Sequence, residues 1–86
     1  MAYRILIETV ARRELRHLQH HQLYARIEAT IDSLADDPRP PGCKKLTLDQ
    51  GWRVRVGDYR IIYDIDDVVR IVSVERVVHR RDVYEE

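Results

Sequence analysis

The sequence has a single cysteine, Cys43, so no internal disulfide can staple the chain. Disulfides mark oxidising compartments, and their lack fits a reducing cytoplasm. Cys43 has no Cys or His near it at zinc-ligand spacing. No apolar run approaches the ~20 residues that a membrane-crossing helix needs. The opening Met1-Ala2-Tyr3-Arg4-Ile5-Leu6-Ile7-Glu8 is too short an apolar run for a secretory signal. The expectation is a cytoplasmic protein with no membrane partner. Net charge is missing as well, since fifteen basic residues balance fifteen acidic ones. Overall charge therefore makes no case for a polyanionic partner. There is no glycine-rich phosphate loop, no repeat, no low-complexity segment and no Ser/His/Asp order suited to nucleophilic catalysis. His17 and His21 stand four apart but lie in a polar stretch without an acidic third ligand, so neither a metal nor a cofactor is assigned.

Lysine is also rare. Only Lys44 and Lys45 are lysine, and the other thirteen basic residues are arginine. Arginine offers a planar fork of donors that matches phosphate. A GC-rich coding bias would produce the same excess. At 86 residues the chain makes one domain, 1–86, with one core and modest stability.

Hydrophobic periodicity gives the order of elements. Tyr3, Ile5 and Ile7 alternate with polar residues, which is a strand pattern. Thr9 is a suitable helix N-cap. Ala11, Leu15 and Leu18 form one helical stripe, with Arg12, Arg13 and Arg16 turned outward. The polar run from His17 to Gln22 breaks it. Leu23, Ile27, Ile31 and Leu34 form a second stripe, which Asp37-Pro38 ends. After the stiff Pro38-Arg39-Pro40-Pro41-Gly42 connector the period switches to two. Lys44 to Leu48 is a short strand, and Asp49-Gln50-Gly51 is a turn. Trp52 to Val56 and Tyr59 to Ile65 flank Gly57-Asp58, a two-residue hairpin signal. Asp66-Asp67 marks another turn, and Val68 to Val74 forms the last long strand. The predicted fold is α+β: two N-terminal antiparallel helices packed on a twisted antiparallel sheet of about four strands, in the order β-α-α-β-β-β.

A two-residue turn at Gly57-Asp58 fixes the hairpin register. Val56 then pairs with Tyr59, Arg55 faces Arg60, and Val54 faces Ile61. Trp52, Val54, Val56, Tyr59, Ile61 and Tyr63 share the core side. Arg53, Arg55 and Arg60 share the other. Like charges directly opposite cost about 0.2–1 kcal/mol, so the pairing has no structural benefit. Three guanidiniums on one pleated surface suit a polyanion. From the hairpin alone, a phosphate cradle and a solvated face neutralised by Asp58, Asp64 or Glu75 both remain open. The C-terminal segment adds His79, which can exchange a proton near neutrality, Tyr84, which can stack on a base, and the cations Arg80 and Arg81.

The stretches Asp37-Pro38-Arg39-Pro40, Gly42-Cys43-Lys44-Lys45-Leu46, Trp52 through Tyr63 and His79-Arg80-Arg81-Asp82-Val83-Tyr84 resemble RelE/ParE-superfamily toxins, RelE-like mRNA interferases in particular. Ala2-Tyr3-Arg4-Ile5 and the two helices fit too, so the resemblance covers essentially the whole chain. It implies a type II toxin that enters the ribosomal A site and cuts mRNA there. The ribose 2′-OH would attack the adjacent phosphate, leaving a 2′,3′-cyclic phosphate and a 5′-OH, with no metal. It also implies a cognate antitoxin as partner, with operator DNA bound only through the antitoxin complex. The alternative within the superfamily is a ParE-like toxin that inhibits DNA gyrase by binding and cuts nothing.

By resemblance, Arg60 after Gly57-Asp58-Tyr59 matches the phosphate-binding arginine, and Tyr84 the terminal tyrosine that stacks on the RNA base. Arg53 and Arg55 fall where the best-known member has lysines. Arginine stays charged at any ordinary pH, so it cannot take a lysine's place as a base. Aligned from Tyr84, the family's catalytic arginine falls on Val78, and its role would move to Arg76, His79 or Arg80. The expected site is Arg53, Arg55, Arg60, His79, Arg80 and Tyr84, with His79 supplying one proton transfer.

Overall fold

The fold grows from alternating and helical apolar patterns that meet on one side of a sheet. In the computed structural model, residues 2–46 and 51–82 are described. Strand β1 (Arg4–Ile7) runs straight into helix α1 (Thr9–His17). Thr9 is not the cap. Glu8 is, and it does so through its backbone: its N–H continues the sheet ladder to the Val74 carbonyl at 2.9 Å, and its carbonyl accepts from Arg12 N–H. Helix α2 (Tyr24–Ser33) follows a polar turn. It stops before Asp37-Pro38, because its last turn tightens into Leu34 N–H to Ile31 and Ala35 N–H to Asp32 carbonyl bonds. Pro38 is buried, and its carbonyl accepts from the Tyr63 hydroxyl at 2.7 Å.

Then come β2 (Lys44–Lys45), β3 (Trp52–Val56), β4 (Tyr59–Asp66), β5 (Ile71–His79) and a short 3-10 turn at Arg80–Asp82. The expected turn residues Asp49 and Gln50, and Leu48 of the expected strand, lie outside the described residues. The last strand starts three residues later than the sequence suggested and runs five further. Asp66 explains the late start. Its carboxylate accepts from Val68 N–H at 3.0 Å and Val69 N–H at 3.1 Å, folding these residues into a turn that leaves Val68 92% exposed. Arg70, at φ +60°, completes the reversal.

Among the described residues the sheet has five strands, in the order β1-β5-β4-β3-β2. It is mixed and not purely antiparallel, because β1 pairs parallel to β5, Arg4 opposite Ile71 through Ile7 opposite Val74. The two helices between β1 and the meander supply the crossover that a parallel pair requires. Both helices cover one face. Ala11, Leu15, Ile27, Ile31 and Leu34 pack there on Val54, Val56, Ile61, Tyr63, Val72, Val74 and Val77. The hairpin turn is held close to this layer. Gly57 has φ +59°, a left-handed conformation that glycine adopts without strain, and it lies close against the end of the Leu23 side chain. Among the described residues, no helix is long and apolar enough to cross a membrane.

Strand β5 carries the one irregularity that matters for the site. Ile62 pairs with Arg76 but Tyr63 pairs with Val74, leaving Glu75 as the extra residue of a bulge. Val72, Val74 and Val77 can then all point into the core despite uneven spacing. Beyond the end of β1, the Val77 N–H donates to Glu14 Oε1 of α1 at 2.7 Å, so a side chain completes the uncovered edge.

Candidate functional site

The hairpin register is the expected one: Val56 opposite Tyr59, Arg55 opposite Arg60, Val54 opposite Ile61 and Arg53 opposite Ile62. Paired residues share a face, and neighbours along a strand alternate. Arg53, Arg55 and Arg60 therefore stand together on the side away from the helices. Two cross-strand rows run across that face. In one, Lys44 of β2 lies beside Arg53, followed by Ile62 and then by Arg76 on β5, whose side chain turns to Glu14 of α1. In the next, Arg55 lies beside Arg60, followed by Val78.

This face is not a uniformly wet one. Arg53 is only 5% exposed and Arg60 8%, whereas Arg55 is exposed. Arg53 Nε and Arg60 Nε and Nη1 are fully covered and donate no hydrogen bond, although both side chains have interactions elsewhere in the fold. Pinned stems of this kind fix guanidiniums in place, and a fixed donor needs little reorganisation when it meets an anion. A cleft of about 290 Å³ opens beside them, lined by Pro41, Gly42, Lys44, Arg53, Val54 and Arg55. Among the described residues no carboxylate lines it. Gly42, at φ +91°, has open space where a side chain would stand.

His79 and Arg80 of the expected site lie elsewhere. His79 pairs with Tyr59 and so lies on the helix side of the sheet. Its ring meets Tyr59 edge-on at 5.3 Å, and Tyr59 meets His21 in the same way at 5.3 Å. His79 Nδ1 accepts from the Arg81 N–H at 3.3 Å. Arg80 turns to the hairpin end, where its N–H donates to the Asp58 carbonyl and its Nε sits 3.7 Å from Asp58 Oδ1, both side chains well exposed. Tyr84 lies outside the described residues. The structure thus brings Arg53, Arg55 and Arg60 together and does not bring His79 or Arg80 to them. Arg76, the other substitute, donates to Glu14 Oε2 from Nη2 at 2.7 Å and from Nε at 3.0 Å. That carboxylate raises the Arg76 guanidinium further above its ordinary value. Val78 is buried beside Arg60.

A second cleft, about 330 Å³, opens on this other side between α1 and the end of β5, where Glu14, Tyr59, Arg76, His79 and Asp82 are among its lining. Both signs of charge meet in it. Among the described residues no group of three His, Cys, Asp or Glu could hold a metal ion. Lys44 is the residue that the sequence reading did not place. Its signal was present: the alternation of β3 continues across to β2, so the partner of Arg53 had to share its face.

Two helices on one face of a mixed five-stranded sheet, with an arginine-lined hairpin on the other, define a RelE-like toxin fold. The comparisons agree. The family model for the ParE toxin of type II toxin–antitoxin systems (parDE) matches residues 5–84, and the chain belongs to that family within the RelE/ParE superfamily. It is 35% identical over 85 residues to Toxin RelG of Mycobacterium tuberculosis (strain ATCC 25618 / H37Rv), spanning 98% of each chain. A chain of the toxin–antitoxin complex RelBE2 from Mycobacterium tuberculosis matches with a TM-score of 0.77 at 34% identity, over 93% of this chain and 100% of that one. A chain of the archaeal RelE–RelB complex from Pyrococcus horikoshii OT3 matches with a TM-score of 0.80 at 26% identity, over 96% and 100%. The protein is a toxin of a type II toxin–antitoxin system.

Proposed function

We propose that this toxin is a ribosome-dependent mRNA endoribonuclease acting in the cytoplasm. The observation that carries the reading is the arginine cluster on one face of the hairpin, where Arg55 stands opposite Arg60 and Arg53 stands one row away. When a ribose 2′-OH attacks the adjacent phosphate, negative charge builds on the non-bridging oxygens. Guanidiniums fixed before the reaction stabilise that charge at the moment it forms. Arg60 has the most anchored stem of the opposed pair and is assigned to a non-bridging oxygen. Arg53 and Arg55 hold the flanking phosphate oxygens. Tyr84 is assigned to stack on the base. The A site would set the in-line geometry that the protein alone does not provide.

The partner is proposed to be a cognate antitoxin whose acidic segment covers the arginine face or displaces the tail. Operator DNA would be met only through that complex. Affinity for such a segment falls with added salt. The test is purified toxin added to a translation extract, with the mRNA mapped for new 5′-OH ends. Cleavage within codons on translating ribosomes supports the reading, and intact mRNA overturns it.

A second reading has its own support, because the matching family model is that of ParE. In it the protein inhibits DNA gyrase by binding, without nuclease activity. A supercoiling assay with gyrase separates the two: inhibition with intact mRNA favours this second reading.

A further inference from the structure

The proposed reaction needs a proton donor for its leaving oxygen, and the fold removes most of the obvious ones. A guanidinium is a poor proton donor in general, so the arginines of the face serve as charge donors. His79 faces the helix side, in contact with Tyr59. Arg76 is held by Glu14. Val78, beside Arg60, has no proton to give.

One side chain in the cleft is of another kind. Lys44 is the cross-strand partner of Arg53, it is exposed, and it lines the same cleft as Arg53 and Arg55. Directly paired residues hold their Cβ atoms about 5 Å apart, so a phosphate gripped by Arg53 lies within reach of the Lys44 stem. Its neighbour Lys45 points the opposite way, its Nζ 5.3 Å from the centre of the Trp52 ring. Unlike a guanidinium, an ammonium on a flexible stem can give up a proton during a reaction.

We propose that Lys44 is a catalytic residue of this cleft, the general acid for the leaving 5′-oxygen. The inference rests on the RNA-cleaving reading above. As the 2′-oxygen forms its bond to phosphorus, the bond from phosphorus to the 5′-oxygen breaks and its electron pair stays on that oxygen. The Lys44 ammonium gives it a proton, making the 5′-OH. The 2′-OH proton passes to solvent, and the Lys44 amine regains a proton from solvent, so the cycle closes.

The test is single-turnover cleavage on programmed ribosomes by wild type, Lys44→Arg, Lys44→Gln and the control Lys45→Gln. Each is run on ordinary mRNA and on mRNA with sulfur in place of the bridging 5′-oxygen at the scissile phosphate. A thiolate leaves without a proton. Both Lys44 variants should cut ordinary mRNA about 100-fold more slowly, bind ribosomes as wild type does, and cut the sulfur-bridged mRNA at the wild-type rate. Lys45→Gln should match wild type on both. Should Lys44→Gln fail to fold, Lys44→Arg keeps the charge and decides alone. Wild-type rates in Lys44→Arg, or equal deficits on both substrates, overturn the role of Lys44 and leave the nuclease reading intact. A wild-type protein that cuts neither mRNA overturns both.

Discussion

Two clefts flank the end of the same sheet, and they differ in how their charge is used. The one by β2 and β3 is lined by Lys44, Arg53 and Arg55, with no carboxylate among the described residues. The one between α1 and β5 places Arg76 against Glu14 at 2.7 Å and rings against rings. In the second, every strong charge named is already answered by the fold, and the groups there join α1, the hairpin and β5. In the first, cations face cations across the strands. Such pairing costs stability, and guanidiniums gathered on one surface suit an anion. A cleft whose opposite charges already pair with each other serves to hold elements together, whereas one lined by cations suits an anion. Residue type alone does not make that distinction.

The contrast can be broken most sharply at Arg60. Arg60→Ala should reduce single-turnover mRNA cleavage by roughly 10²–10³-fold, the usual loss for one transition-state charge donor, while circular dichroism shows a folded protein. Wild-type cleavage by a folded Arg60→Ala would remove the arginine face from the reaction.

Glu14→Ala acts on the other cleft. It leaves the Val77 N–H and the Arg76 guanidinium without their acceptor. Because Arg76 is half exposed, the expected loss is about 1 kcal/mol, read as a lower urea midpoint. Cleavage at a temperature where the variant is folded should be unchanged. A large loss of cleavage would make the two clefts one site.

His79→Ala sharpens the same point. Removing one edge-on ring contact should cost about 1 kcal/mol or less, with cleavage retained and no change in the pH–rate profile. A tenfold loss of cleavage with ribosome binding intact would restore His79 to proton transfer and join the two clefts in one reaction.

The smallest effect lies outside both clefts. Asp67 accepts from the Tyr3 hydroxyl at 2.6 Å and from Arg39 Nη2 at 2.9 Å, tying β1 to the proline-rich connector. Arg39 first, then Tyr3, holds the Asp67 carboxyl below the usual aspartate range. A lowered carboxylate pKa stabilises the fold above the unfolded value, about 3.9, and that stabilisation is lost as pH falls through the folded value. Asp67→Asn should therefore lower Tm slightly at pH 7, and the gap from wild type should close in acid. A gap that persists at low pH would assign it to shape and not to charge.

Much of this was legible in the sequence because it is local. Alternation and the Gly57-Asp58 turn set the β3–β4 register, and with it the meeting of Arg53, Arg55 and Arg60 on one face. The stripes at Ala11, Leu15, Ile27, Ile31 and Leu34 marked which sides of the helices would be buried. The family resemblance rested on the same stretches. What depended on distant partners was not legible. The parallel pairing of β1 with β5 is decided by the helical crossover between them, and no short segment encodes it. The length of β5 depends on β4 being there to pair with it.

The placement of His79 was decided by tertiary structure alone. Strict alternation from Val72 and Val74 would put Val77 and His79 on the arginine face. A side-chain period of two means that one extra residue flips everything beyond it. Glu75 is that residue: it sits in a bulge, Val77 turns into the core, and His79 follows it to the helix side. The sequence determined that an arginine face would exist, because a tight turn and an alternating pattern suffice to build one. Which other residues would join it was decided by how β5 settled against β4 and by the core that Val77 had to fill.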